Sequence, residues 1–203
     1  MAGAVWLAAM TGASGAELRV SVRDEAGAPV ADAVVTLATV GARSAPRREP
    51  YLVDQRSEEF LPLVTLLRPG DSIQFANSDS VFHHVYSFAS MNRFEFVVKP
   101  GDVSPIIKYD TVGVAAIGCN VHDNMITYAV VTEAPYAAKT DKAGLAVIAD
   151  APRGAVKISA WHPRARANGK TTTQDAVIDE DKTLVELVLP LAVPRKSRGA
   201  HRY

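Results

Sequence analysis

The sequence predicts an all-β chain, and three observations carry that expectation. Short apolar runs, several of them alternating with polar residues, recur along its length; turn signals built from Gly, Pro, Asn and Asp separate them; and no stretch carries a convincing apolar stripe at the helical period. Leu18, Val20 and Val22 alternate with polar residues, Asp24 to Gly27 reads as a turn, and Val30 to Leu37 restarts a strand, so the opening is expected to be a hairpin. Ala42 to Pro50 carries three arginines and two prolines without periodicity and reads as a boundary loop. Strand-like runs follow at 63–67, 72–75, 83–88, 94–98, 106–109, 112–119 and 128–131. Pro69-Gly70-Asp71, Asn77-Ser78-Asp79-Ser80 and Pro100-Gly101-Asp102 punctuate them, at the spacing of a sandwich or barrel. Beyond Pro135, turns at 140–144 and 152–154 precede strands at 145–148 and 156–161, and 183–189 is expected to be the last strand. Asp175 to Lys182 reads as polar connection, and 194–203 as a basic, disordered tail.

A chain of 203 residues leaves room for one or two domains. Hydrophobic residues at 48% and charged residues at 22% are the balance of an ordinary globular protein with a buried core. Lys plus Arg equals Asp plus Glu at 22 each, which removes the global positive field that a nucleic acid partner needs. The single cysteine, Cys119, excludes an intrachain disulfide and a four-cysteine zinc site. Met1 to Ala16 is apolar and uncharged but shorter than the roughly 20 residues of a membrane span. Ser14-Gly15-Ala16 offers the small residues a signal peptidase uses, so residues 1–16 read as a signal peptide. The mature chain, with no membrane span, is then expected to be periplasmic or otherwise exported.

The chemistry concentrates in two segments. Cys119, His122 and Met125 stand three residues apart in a loop between two apolar strands, where one ion can gather a thiolate, an imidazole and a thioether. A fourth donor is expected from His83 or His84, which open a strand; side chains alternate across a strand, so only one of the two can face the loop. Two imidazoles, one thiolate and a weak methionine form the ligand set of a blue-copper electron-transfer site, and methionine argues against zinc. Taken singly, a cysteine or methionine commonly fills a core and a turn histidine is ordinarily structural. Their concentration in two short segments is what favours a site.

Phe60-Leu61-Pro62, Pro69-Gly70-Asp71, Phe75-Ala76-Asn77-Ser78-Asp79, His83-His84-Val85-Tyr86-Ser87-Phe88 and Gly118 to Met125 together resemble the cupredoxins, especially the plastocyanin-related methylamine utilisation proteins and amicyanin. The resemblance covers about Pro50 to Thr132. It implies one mononuclear type 1 copper ion held by His83, Cys119, His122 and Met125, with His84 as a neighbour that helps tie the ligand loops. It also implies an electron carrier rather than an enzyme, meeting redox protein partners through His122 at the barrel surface. Val121 stands where amicyanin has proline, and Asn124 where the close family has tryptophan, which affects tuning rather than ligand type.

Residues 22–37 and 140–161 resemble a transthyretin-like or carboxypeptidase-regulatory β-sandwich. The expected organisation is therefore a signal peptide at 1–16, the first hairpin of an outer β-sandwich at 17–45 and a cupredoxin Greek-key sandwich at 50–132. The rest of the outer sandwich follows at 133–193, and the basic tail at 194–203. His162, at a strand end without a nearby thiolate, is expected to be structural, and Asp79 and Asp123 read as turn formers without a catalytic role. Arg195, Lys196, Arg198 and Arg202 read as a solvated tail. Two other functions suit the same residues less well: copper storage or delivery, and a β-sandwich surface-binding module without metal.

Overall fold

The computed structural model describes residues 15–41, 45–166 and 168–192. The expected signal peptide and basic tail thus lie almost wholly outside the described residues; Ala16, its last residue, begins the first strand. Sixteen strands follow in order: β1 Ala16–Arg23, β2 Val34–Ala38, β3 Tyr51–Arg56, β4 Glu59–Leu61, β5 Val64–Leu67, β6 Asp71–Asn77, β7 His83–Ser87 and β8 Phe94–Val98. The second half adds β9 Ile107–Tyr109, β10 Gly113–Cys119, β11 Ile126–Val131, β12 Ala137–Lys139, β13 Leu145–Ala151, β14 Gly154–Trp161, β15 Thr171–Ile178 and β16 Lys182–Val188. One short 3₁₀ turn, Asn168–Lys170, is the helical content of the described residues. No helix among them is long and apolar enough to cross a membrane.

Four sheets result. In the middle of the chain, β5-β11-β10-β7-β8 faces β4-β3-β6-β9, and the two enclose a core that includes Val53, Phe75, Val85, Ala115, Ile117 and Cys119. These sheets form the sandwich that the resemblance implies. The strands on either side pair with one another: β13-β1-β16 and β12-β2-β14-β15 enclose a second core around Leu18, Val20, Leu37, Ile158 and Leu187. A third cluster joins the two packs, where Val34 and Trp161 meet Val64, Val130 and Tyr128; the Tyr128 and Trp161 rings lie edge to face at 5.9 Å. Lys139 crosses the same seam, donating to Asp32 at 2.6 Å and to the Val64 carbonyl at 2.9 Å.

The opening hairpin forms only at its turn, where Arg23 bridges Pro29 antiparallel and the Val30 N–H donates to the Val22 carbonyl at 2.9 Å. Beyond Val30 the chain crosses between layers, so β1 lies in one flanking sheet and β2 in the other. The cause is a distant partner: Val30 and Ala33 are buried in the crossing, and Thr140 accepts the Ala33 N–H at 2.8 Å while donating to the Val30 carbonyl at 2.7 Å. Four further strands also depart from expectation. β3 and β4 follow the boundary loop directly, β12 precedes the turn at 140–144, and β15 occupies the segment whose end reads as polar connection. β15 is an edge strand paired only with β14 and mostly exposed, which is why it lacks an apolar pattern.

His162 is buried, and its Nδ1 accepts the Arg164 N–H at 3.2 Å. Burial, with Arg164 and Lys170 adding to it against Asp32, lowers its pKa from 6.5 to about 4. The unfolded chain therefore binds the proton more readily, and the stability gained from a neutral ring is complete above pH 6.5. That contribution, about 3 kcal/mol, drains away as pH falls from 6.5 towards 4. Urea midpoints measured across this window should fall more steeply for the wild type than for His162→Gln.

Candidate metal centre

Strand parity decides what β7 and β10 deliver. On β7, His83, Val85 and Ser87 are buried, with His84 and Tyr86 on the opposite face. On β10, Ala115, Ile117 and Cys119 are buried, alternating with Val114, Ala116 and Gly118. Cys119 pairs with Val85, so His83, two residues earlier on the same face, enters the core beside the end of β10. His83 is 0% exposed, and its Nδ1 lies 3.7 Å from Cys119 Sγ. His122, in the following loop, sets its ring centroid 5.0 Å from that of His83 at an interplanar angle of 57°. The donor atoms of His83, Cys119 and His122 all lie within 4.8 Å of one another. Met125 closes the loop: its N–H donates to the His122 carbonyl at 3.1 Å, and its side chain is buried in the same cluster as Cys119.

The surrounding hydrogen bonds fix these groups. Cys119 Sγ accepts the Val121 N–H at 3.4 Å. The Asn120 N–H donates to the His84 carbonyl at 3.0 Å, and its side-chain Nδ2 stands 3.1 Å from His84 Nδ1. His84 therefore ties the two segments together from the outer face and stays out of the donor group. Asn77 shapes the connection before β7, donating to the Val81 and Val98 carbonyls at 2.8 and 2.9 Å and accepting the Asp79 N–H at 2.9 Å.

Asp79 has more than the turn role expected of it. Its carboxylate accepts the Ser57 N–H at 2.5 Å, the Glu58 N–H at 3.0 Å and His83 Nε2 at 2.9 Å. Partial burial pushes its pKa up, but the two amides and the imidazole more than offset this and leave it below the usual carboxylate value. An ionised Asp79 requires the proton of a neutral His83 to sit on Nε2, which leaves the Nδ1 lone pair facing Cys119. Sequence reasoning did not find this contact. Asp79 lies four residues before His83 in a turn whose composition explains it, and the amides it meets come from the β3–β4 connection.

Glu58 was missed as well. Its Oε1 lies 3.7 Å from His122 Nε2, on a turn where Ser57 and Glu58 both have positive φ with no glycine to signal it. His122 Nδ1, on the inner side, is buried with no hydrogen-bond partner among the described residues. Leaving such a nitrogen unpaired costs about 1–3 kcal/mol, a cost removed by a cation placed among the three donors. Two imidazole nitrogens and one thiolate, with a buried thioether close in sequence, are soft to borderline donors, and the grouping is able to hold one copper ion.

No protein-family model matches this chain, and no curated protein matches it. Solved structures similar to it include a novel purple cupredoxin from Nitrosopumilus maritimus, with a TM-score of 0.37 and 18% identity over 40% of this chain and 99% of that one. Amicyanin from Paracoccus versutus gives a TM-score of 0.39 and 12% identity over 48% of this chain and 97% of that one. A copper-containing nitrite reductase from Thermus scotoductus gives 0.38 and 21% identity, over 48% of this chain but 25% of the reductase.

Proposed function

We propose that this chain is an exported type 1 copper protein that carries single electrons between redox proteins, with His83, Cys119, His122 and Met125 as ligands in a cupredoxin unit inserted within a flanking β-sandwich. The observation that carries the reading is the convergence of two imidazoles and the only cysteine within 4.8 Å of one another at the end of a buried two-sheet core. Bound there, copper supplies one-electron chemistry by exchanging between Cu(I) and Cu(II).

The chain's own part is to hold the donors still. Asp79, itself held by two backbone amides, keeps His83 from rotating; Val121 and Asn120 hold the cysteine end of the loop; Met125 pins the other end through the His122 carbonyl. A donor set supported in this way changes little between two metal charges, which is what rapid electron exchange needs. His83 is sealed from water while the His122 side chain keeps 21% of its surface, so His122 is the route to the outside. Export is supported by the leader-like residues 1–16.

Voltammetry of the copper-loaded protein tests this reading. A reversible one-electron wave is expected. Copper that binds but gives no wave, and passes readily to a chelator, would make the protein a copper-handling one instead.

A further inference from the structure

The nature of the partner follows from the charges around His122, an inference that rests on the electron-carrier reading above. Three segments meet at this edge: the Ser57-Glu58 turn reaches His122 through Glu58, Asp79 bonds to both amides of that turn, and Asp123 follows His122 directly. Residues 57–62, 78–83 and 119–125 contain Glu58, Glu59, Asp79 and Asp123 but no lysine or arginine, in a chain whose acids and bases are equal at 22 each. Asp79 is engaged with His83, whereas Glu58, Glu59 and Asp123 are exposed. Of the neighbouring cations, Arg56 pairs with Asp54 at 3.0 Å, and Lys99, which follows the β8 partner of His83, is the one basic residue set against the acidic residues of these segments. The same segments expose Val81, Phe82 and Val121 at 44, 52 and 42%.

Exposed apolar side chains among carboxylates at an electron exit have the composition of a transient interface: apolar contact for fit, and charge for steering and register. Charges of one sign act over about 10 Å at 0.1 M salt and raise encounter rates for an oppositely charged partner by about 10–10³. They repel a second copy presenting the same edge, and they repel phosphate-bearing surfaces. We propose that the His122 edge docks a one-electron carrier protein whose contact face is rich in lysine or arginine.

Two measurements test this, and the first needs no copper. Titrating the metal-free protein with the redox-inert paramagnetic cation hexaamminechromium(III) should broaden amide resonances of residues 57–59, 80–83 and 120–123 first. Broadening that starts elsewhere, or is uniform, overturns the proposal. In the second, the reduced copper protein is oxidised by tris(phenanthroline)cobalt(III) or by hexacyanoferrate(III) over a range of salt. The cation's rate should fall as salt rises and the anion's should rise. Glu59→Gln/Asp123→Asn should lower the cation's rate by about tenfold and raise the anion's, with an unchanged visible spectrum. Rates indifferent to salt and to these substitutions overturn the proposal. So does a cation rate that becomes salt-dependent only when residues 194–203 are removed, which would place the chain's own basic tail on the edge. A protein that takes up no copper removes the electron-carrier reading, whereas the titration of the metal-free form still reports on the acidic edge alone.

Discussion

Cys119→Ser should abolish the intense visible absorption of the copper-loaded protein and its one-electron wave together. The thiolate is the soft donor of the set, and a serine hydroxyl neither ionises at neutral pH nor offers a comparable bond to Cu(I). Removing an outer partner of a ligand typically weakens metal binding by about 10–100-fold, and removing the strongest ligand should exceed that. The fold should survive. Serine is close in volume, and its Oγ can accept the Val121 N–H that now meets Cys119 Sγ. The metal-free variant should therefore melt near the wild type, which separates loss of the site from loss of the protein. A variant that keeps its colour would show that the sulfur at 119 does not meet the metal.

Phe75→Ala should cost about 3–5 kcal/mol, a large share of the 5–15 kcal/mol that holds a typical domain. Phe75 is 0% exposed and packs its ring against Phe60, Phe96 and Phe94, with centroids at 5.8, 5.9 and 6.2 Å. Truncation opens a cavity between the two sheets, because a backbone tied on both sides to Ser104 cannot collapse to fill it. Phe75 also lies two residues before Asn77, which shapes the segment carrying Asp79 to His83. Copper retention should therefore weaken along with stability. Urea unfolding followed by fluorescence and by copper release checks both, and a loss below about 1 kcal/mol would contradict the packing described.

Much of the site could be read from the residues because its logic is short-range. Cys119, His122 and Met125 share one loop, and the parity of a strand restricts the choice between His83 and His84 before any coordinates are known. Parity alone does not say which of the two turns inward; the buried Val85 and Ser87 supply that, since they share a face with His83. Asp79 and Glu58 were hidden for the opposite reason. Their contacts with His83 and His122 depend on how the β3–β4 turn docks against two other loops, a property of packing across more than twenty residues of chain. The fold divides in the same way. Most strands buried on one face announced themselves through their apolar pattern, while β3, whose inner face includes the polar Gln55, β15, at a sheet edge, and the crossing from β1 to β2 did not. That crossing depends on Thr140, more than a hundred residues beyond it.

Copper-edge X-ray absorption of the loaded protein, compared with Cys119→Ser and His83→Ala, reads the donor set directly. One short sulfur and two nitrogens around a single copper are expected, with the sulfur lost in the first variant and one nitrogen lost in the second. A shell of oxygen and nitrogen alone, unchanged in both variants, would contradict the account.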